Sequence, residues 1–323
     1  MLDPETPALV LAPMDGITDA PMRALQGELG AFAYAVSEFV RVSVHPLPPR
    51  VFRESVPELD HRGMTPTGMP VQVQILGGDP GRMAASAVAA CQAGATAIDI
   101  NFGCPARIVN RHDGGASLLK HPTRIRDIVS AVRAAVPGNT PVSAKLRLGW
   151  DCIDAIDHNA AMAAEGGASW LAIHARTGDQ GYASPVYWRS IGTVRESLGL
   201  PVIANGDIWT IEDFRRCQDE TGCRHFMLGR GALADPALPH RIAHELGIGA
   251  AISSDLGWPQ LMQSLLKWTE FYGQSTQNPM RLKQWLKIAA VHGVFPDFEC
   301  VKQAQTTDEL LANLAKASDD RDA

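Results

Sequence analysis

Eight short apolar runs rich in β-branched residues alternate with alanine-rich or amphipathic stretches over the first three quarters of this 323-residue chain, and after about Pro239 helical periodicity continues alone. Together these observations predict an α/β fold, a (β/α)8 TIM barrel over residues 1–240 followed by a small helical domain over 241–323. Parallel strands covered on both faces read as continuous apolar runs, and about 240 residues is an ordinary size for such a barrel. The competing open, doubly wound sheet would carry a glycine fingerprint after an early strand, and no G-x-G-x-x-G follows the first run.

In chain order, the strands are expected at residues 8–12, 34–37, 71–76, 97–101, 141–148, 170–175, 201–205 and 225–229. Between them, 81–93, 123–136, 153–164 and 211–218 read as helices, with Gly or Pro at their ends. In the tail, 258–272, 280–291 and 307–317 have helical spacing, and the polar end 318–323 is expected to fray.

Composition narrows the function classes. With 46% hydrophobic and 20% charged residues, the chain is neither disordered nor a disulfide scaffold. Twenty-nine basic against 35 acidic residues give a net charge of −6, which argues against a general polyanion binder and requires any nucleic-acid contact to be focused. The cysteines at 91, 104, 152, 217, 223 and 300 form no C-x-x-C pair, so no metal is expected, and free thiols suit a reducing compartment. The chain has no run of 18 apolar residues, and its start is acidic and proline-bearing, so a cytoplasmic protein without membrane contact is expected.

In this architecture the carboxyl ends of the strands carry the chemistry. They bear Pro13-Met14, Glu38, Gln74, Asn101 with Cys104, Lys145 with Arg147, His174 with Arg176, Asn205-Gly206-Asp207, and Gly229-Arg230. The last two are glycine-bearing turns where strands seven and eight end, the usual place for a phosphate in this fold, although either alone is also an ordinary βα turn. Lys145 stands in an apolar strand and needs an anionic partner, which an electron-rich ligand edge, a Schiff-base substrate or an internal ion pair would each satisfy. Cys104 lies on a loop leading into Asp113-Gly114-Gly115-Ala116 and suits a nucleophile or proton donor as well as a small packing residue. His174 and Arg176 alternate and should face one side, while Gln74 offers an amide to a heterocycle edge.

These segments resemble the tRNA-dihydrouridine synthases over nearly the whole chain: Ala12-Pro13-Met14-Asp15-Gly16, Asp99-Ile100-Asn101-Phe102-Gly103-Cys104-Pro105, Lys145-Leu146-Arg147-Leu148-Gly149, His174-Ala175-Arg176-Thr177, Ile203-Ala204-Asn205-Gly206-Asp207 and Met227-Leu228-Gly229-Arg230-Gly231. The resemblance implies an FMN-bound barrel that takes electrons from NADPH and reduces the 5,6 double bond of selected tRNA uridines. It also implies that Pro13, Met14, Gln74, Lys145, Asn205, Gly206, Asp207, Gly229 and Arg230 hold FMN with His174 near it, that Cys104 donates a proton, and that Asn101 holds the uracil. Residues 38–42, Trp209 and residues 281–285 are similar to the C-type branch, which acts at tRNA position 16. Phe102 and Asp207 depart from that pattern, where Met or Cys and Glu are commoner.

The same resemblance makes Arg41, Arg176, Arg281 and Lys283 tRNA contacts. Between Thr276 and Pro296 stand Arg281, Lys283 and Lys287 with no acidic residue, a basic strip that would meet phosphates, against the plainer option of a solvated face. The expected partners are tRNA and NADPH, and the expected state is a monomer. The alternatives are an FMN barrel acting on a free pyrimidine, like dihydroorotate dehydrogenase, a Lys145 Schiff-base aldolase, and a catalytically dead RNA-binding module.

Overall fold

Strand alternation decides what this chain puts inside and outside. The computed structural model describes residues 1–110, 114–249, 257–277, 279–292, 295 and 298–322. Its strands are β1 (Ala8–Leu11), β2 (Tyr34–Val36), β3 (Val40–Arg41), β4 (Val71–Leu76), β5 (Ile98–Asn101), β6 (Val142–Arg147), β7 (Leu171–His174), β8 (Val202–Asn205) and β9 (His225–Leu228). All pairings between them are parallel, β1 to β9 and onward through β8, β7, β6 and β5 to β4. Closure comes from β2, which pairs with β1 and, through Ala35 opposite Val71, with β4. The result is the expected closed eight-strand barrel; β3, two residues long, adds a short ninth strand beside the end of β4 at Ile75 and Leu76.

Every second residue faces out. Leu9, Leu11, Val71, Val73, Ile98, Ile100, Leu171, Ile173 and Phe226 pack with the surrounding helices into the main core. The inward set differs around the ring. Val10, Ala12, Tyr34, Val36, Trp170, Ala172, Ile203 and Met227 form a separate apolar plug, whereas β4, β5 and β6 contribute buried Gln72, Gln74, Asp99, Asn101 and Ser143. A barrel lined half by polar side chains must satisfy them internally.

The expected helices are present as Pro80–Ala93, Pro122–Ala135, Ala155–Glu165 and Ile211–Thr221, and capping explains the limits of the first and the last. The Asp79 carboxylate accepts the Arg82 N–H and Gly94 ends that helix in the left-handed region, while Thr210 and Asp213 form a reciprocal capping box.

In the tail, Trp258–Phe271, Met280–Val291 and Thr307–Asp322 match the expected helices, with a further short one at Phe298–Lys302. The helical backbone continues to Asp322, beyond the end expected at 317, so the polar tail extends a helix rather than fraying from 318. The helix Leu238–Glu245 spans residue 240, and its Leu238 and Ile242 belong to the barrel's core. The tail builds a second core from Leu261, Leu265, Trp268, Leu282, Trp285, Leu286 and Leu310, into which the barrel sends Met22, Leu25 and Leu233. The Trp285 indole N–H donates to the Leu233 carbonyl at 2.8 Å, fastening the two bodies of structure.

Candidate active site at the barrel mouth

A cavity of about 410 Å³ opens at the carboxyl ends of the strands, within the range of ordinary small-molecule sites. Pro13, Met14, Gln74, Asn101, Cys104, Lys145, His174, Asn205, Gly206, Asp207, Gly229 and Arg230 all line it. Twelve of the sequence-derived site residues are thus brought together, with the Cys104 thiol and the Lys145 amine in one wall system.

Lys145 donates to Asn205 Oδ1 at 3.2 Å, and the Asn205 amide nitrogen donates to the Met227 carbonyl at 2.8 Å. Burial, reinforced by the neighbouring Arg147 charge, lowers the Lys145 pKa to about 8, with Asp99 and Cys104 opposing that shift. His174 is held well below its ordinary pKa by burial and then by the Arg147, Lys145, Arg176 and Arg230 charges, so it is neutral. Burial raises the Cys104 thiol pKa, with Asp15 adding to the rise against Arg147 and Arg41. A protonated thiol, a cation-capable amine and several N–H donors therefore face one space, which suits a ligand carrying carbonyl or anionic oxygens.

Backbone geometry at the two glycine-bearing turns is close-fitting. Gly206 has φ +116°, and a Cβ there would lie 2.5 Å from the His174 ring; a Cβ on Gly229 would come 3.3 Å from the Met14 sulfur. The helix after Gly229 runs only over Arg230–Ala234, and the Asp207 carboxylate accepts two bonds from Arg176 and one from Arg230 at 3.3 Å. Asp207 therefore fixes two guanidinium groups, and its own charge opposes an anion at that turn.

Three of the expected tRNA contacts are committed to protein partners instead. Arg176 is buried beneath the site, spent on Asp207 and on the Ala183 carbonyl at 2.8 Å, so the alternation that put it beside His174 leaves it out of the cavity. Arg281 donates to the Ile17 carbonyl, to Asp19 at 3.0 Å and to Gln284 at 2.8 Å, and Lys283 donates to the carbonyls of Lys302 and Ala304 at 2.8 and 2.5 Å. These two cations clamp the tail, to the barrel and to itself, because a charged donor bonds strongly to the backbone carbonyls and the N-cap carboxylate within its reach. Arg41 is half-buried on β3 over the Phe39 ring, 5.8 Å away, and it is Phe39 that lines the cavity. Lys287 is exposed, whereas Asp113 lies outside the described residues.

Of the other lining groups, Arg147 and Trp209 were named from the sequence without a binding role, and Tyr182 was not singled out. Arg147 lines the wall and donates to the carbonyls of Gly103, Thr177 and Gly181 at 2.8, 2.9 and 2.6 Å, tying the Cys104 loop to the loop after β7. From that second loop Tyr182 reaches the mouth, between Arg147 and Arg230, whose guanidinium carbons lie 5.4 and 4.6 Å from its ring. Trp209 stacks on His292 of the tail at 3.5 Å. For Tyr182 the available signal was a lone aromatic in a polar βα loop. Among the described residues no group of His, Cys, Asp and Glu is arranged to hold a metal ion, and no helix is long and apolar enough to cross a membrane.

Residues 10–304 match the family model described as dihydrouridine synthase (Dus). The tRNA-dihydrouridine(16) synthase of Shewanella oneidensis is 42% identical over 316 residues, covering 96% of this chain and 98% of that protein. The synthase of the same name from Cupriavidus necator is 44% identical over 282 residues, 86% of each chain. Among solved structures, a histamine dehydrogenase from a Rhizobium species superposes with a TM-score of 0.55 at 16% identity, over 86% of this chain and 51% of that one, a likeness of fold alone. With the family model spanning most of its length and a relative of 42% identity covering 96% of it, the chain belongs to the dihydrouridine synthase family.

Proposed function

We propose that this enzyme reduces the uridine at position 16 of tRNA to 5,6-dihydrouridine, with FMN as its bound cofactor and NADPH as reductant. The single observation that carries this reading is that Cys104 and Lys145 line one cavity of about 410 Å³. Names borne by relatives covering 86–96% of the chain supply the tRNA substrate and its position.

The residues present fit FMN. Lys145 and Arg230 are cations on the cavity wall, Gln74 and Asn205 offer amides, and Gly206 and Gly229 let the backbone approach where a side chain would not fit. Pro13, Met14 and His174 complete the proposed binding wall, with Asp207 acting through Arg230. FMN held there would supply the hydride for carbon 6 of uracil. Cys104 holds the proton for carbon 5, and its raised pKa keeps that proton in place at neutral pH. Asn101 holds the Cys104 loop, its side-chain oxygen accepting the N–H groups of Gly103 and Cys104, each at 2.9 Å. The target base must leave its stack to reach this site, so tRNA is read by shape, and the exposed Lys287 and the half-buried Arg41 are the proposed phosphate contacts. We place the helices beyond Glu245 as the tRNA-orienting unit, and a cytoplasmic setting follows from the substrate.

Two measurements test this. The purified protein should absorb visible light as a flavoprotein; a colourless protein trapped on Lys145 by borohydride with a carbonyl substrate would favour the aldolase alternative. Cys104→Ala should keep its flavin and its NADPH oxidation while dihydrouridine formation falls at least about 100-fold. Parental tRNA reduction by that variant would remove Cys104 from its role.

A further inference from the structure

Inside the barrel, below the cavity floor, a chain of buried side chains is fixed in direction at both ends by backbone groups. At one end the Gln72 amide nitrogen donates to the Ile98 carbonyl at 3.1 Å and to Ser143 Oγ at 2.9 Å. Ser143, with its oxygen thus accepting, passes its own hydrogen to Asp99 Oδ1 at 2.5 Å. At the other end the backbone N–H groups of Gly103 and Cys104 both donate to Asn101 Oδ1. The Asn101 amide nitrogen must then face Gln74, donating to its Oε1 at 2.8 Å, and the Gln74 nitrogen in turn donates to Asp99 Oδ2 at 2.7 Å.

A backbone carbonyl can only accept and a backbone N–H can only donate, so neither amide can flip without leaving a buried group unpaired. Both half-chains run toward Asp99, which is 2% exposed, and only a residue accepting on both oxygens can end them. Gln72 spends both of its amide hydrogens on Ile98 and Ser143, whereas the Gln74 and Asn101 nitrogens each keep a second one, and both of these residues line the cavity.

We infer that Asp99 is a positioning residue: as the common acceptor of this relay it makes Gln74 and Asn101 present N–H donors to the cavity, which is thereby selective for ligand edges carrying carbonyl oxygens. This deepens the proposed function, in which those edges belong to FMN and uracil, and it rests on that reading for the ligands but not for the relay. An amide at position 99 would oppose its own NH2 to that of Gln74. Gln74 and then Asn101 would turn over, the cavity would face acceptors, and the Gly103 and Cys104 N–H groups would lose their partner.

The test pairs Asp99→Asn with the double variant Asp99→Asn, Gln74→Glu, using full-length protein. In the double variant the new amide donates to the new carboxylate, whose second oxygen accepts from Asn101. The Cys104 loop is therefore restored, while the donor from position 74 is not. Two quantities are read: the alkylation rate of Cys104 by iodoacetamide, relative to exposed Cys152, by peptide mass spectrometry; and FMN affinity by fluorescence titration.

Asp99→Asn should speed Cys104 alkylation at least about fivefold and weaken FMN at least about tenfold. The double variant should return alkylation to within about twofold of the parent and leave FMN weak. Parental values for both readouts in Asp99→Asn would overturn the inference. So would a folded double variant with unprotected Cys104, which decides the matter even if the single variant fails to fold. A parent that binds no FMN yet shows the alkylation pattern would sink the functional reading and leave the relay standing.

Discussion

At the scale of single residues, Lys145 shows how a strand can hold a charge that its own packing disfavours. Its ammonium has one neutral partner, Asn205, and burial lowers its pKa from 10.5 to about 8. Because the folded state releases the proton more readily than the unfolded chain, the protein is penalised for the charge below pH 8, and the penalty fades as pH rises from 8 through 10.5. Lys145→Met should therefore raise the thermal midpoint of flavin-free protein at pH 7, and the gain should shrink toward pH 10.5; a gain independent of pH would mean that the charge is not its source. Lys145 and Cys104 were legible as residues of the cavity wall because alternation and strand ends place them. Arg176 was legible only in direction, since its partner Asp207 comes from another strand, 31 positions away in sequence, and nothing local marks that pairing.

At the scale of elements, the eight barrel strands could be read because each is a short, β-branched, largely apolar segment buried on both faces, even where β4, β5 and β6 alternate with polar residues. The two-residue β3 and the five-residue helix Phe298–Lys302 could not, being too short to repeat a hydrophobic period. The turn after β8 carries the sharpest consequence. Gly206 stands at φ +116° with no room for a Cβ, since His174 would lie 2.5 Å away, and the next residue, Asp207, is itself at φ +50°. Strain and overpacking add there, so Gly206→Ala should cost about 2–4 kcal/mol in denaturant unfolding and displace His174 from the cavity wall. Gly81→Ala, in the first turn of Pro80–Ala93 with its nearest contact at 3.5 Å, should be neutral or gain up to about 1 kcal/mol. Equal losses at both positions would mean that the turn is not specially constrained.

At the scale of the whole molecule, the question is what the basic residues of Met280–Val291 do. As a sequence the segment reads as a charged strip, yet packing divides it. Arg281 crosses to the carbonyls of Gly16 and Ile17 and to Asp19, which also caps the helix Ala20–Leu29, while Lys287 stays exposed. The two cations should therefore separate experimentally. Arg281→Ala removes charge-assisted bonds between tail and barrel, so it should lower stability by about 1–3 kcal/mol and speed amide exchange along Met280–Val291. Any loss of tRNA affinity would follow from misorientation, with the dependence of affinity on salt unchanged. Lys287→Ala should leave stability and exchange as they are and reduce the slope of log affinity against log salt by about one phosphate contact. If Arg281→Ala reduced that slope while amide exchange stayed parental, Arg281 would be a direct phosphate contact and the tail would need another anchor. The second core, in which Met22, Leu25 and Leu233 of the barrel meet Leu265, Trp285 and Leu286 of the tail, predicts the opposite: Arg281 orients an already docked unit, and the exposed cation carries the electrostatics.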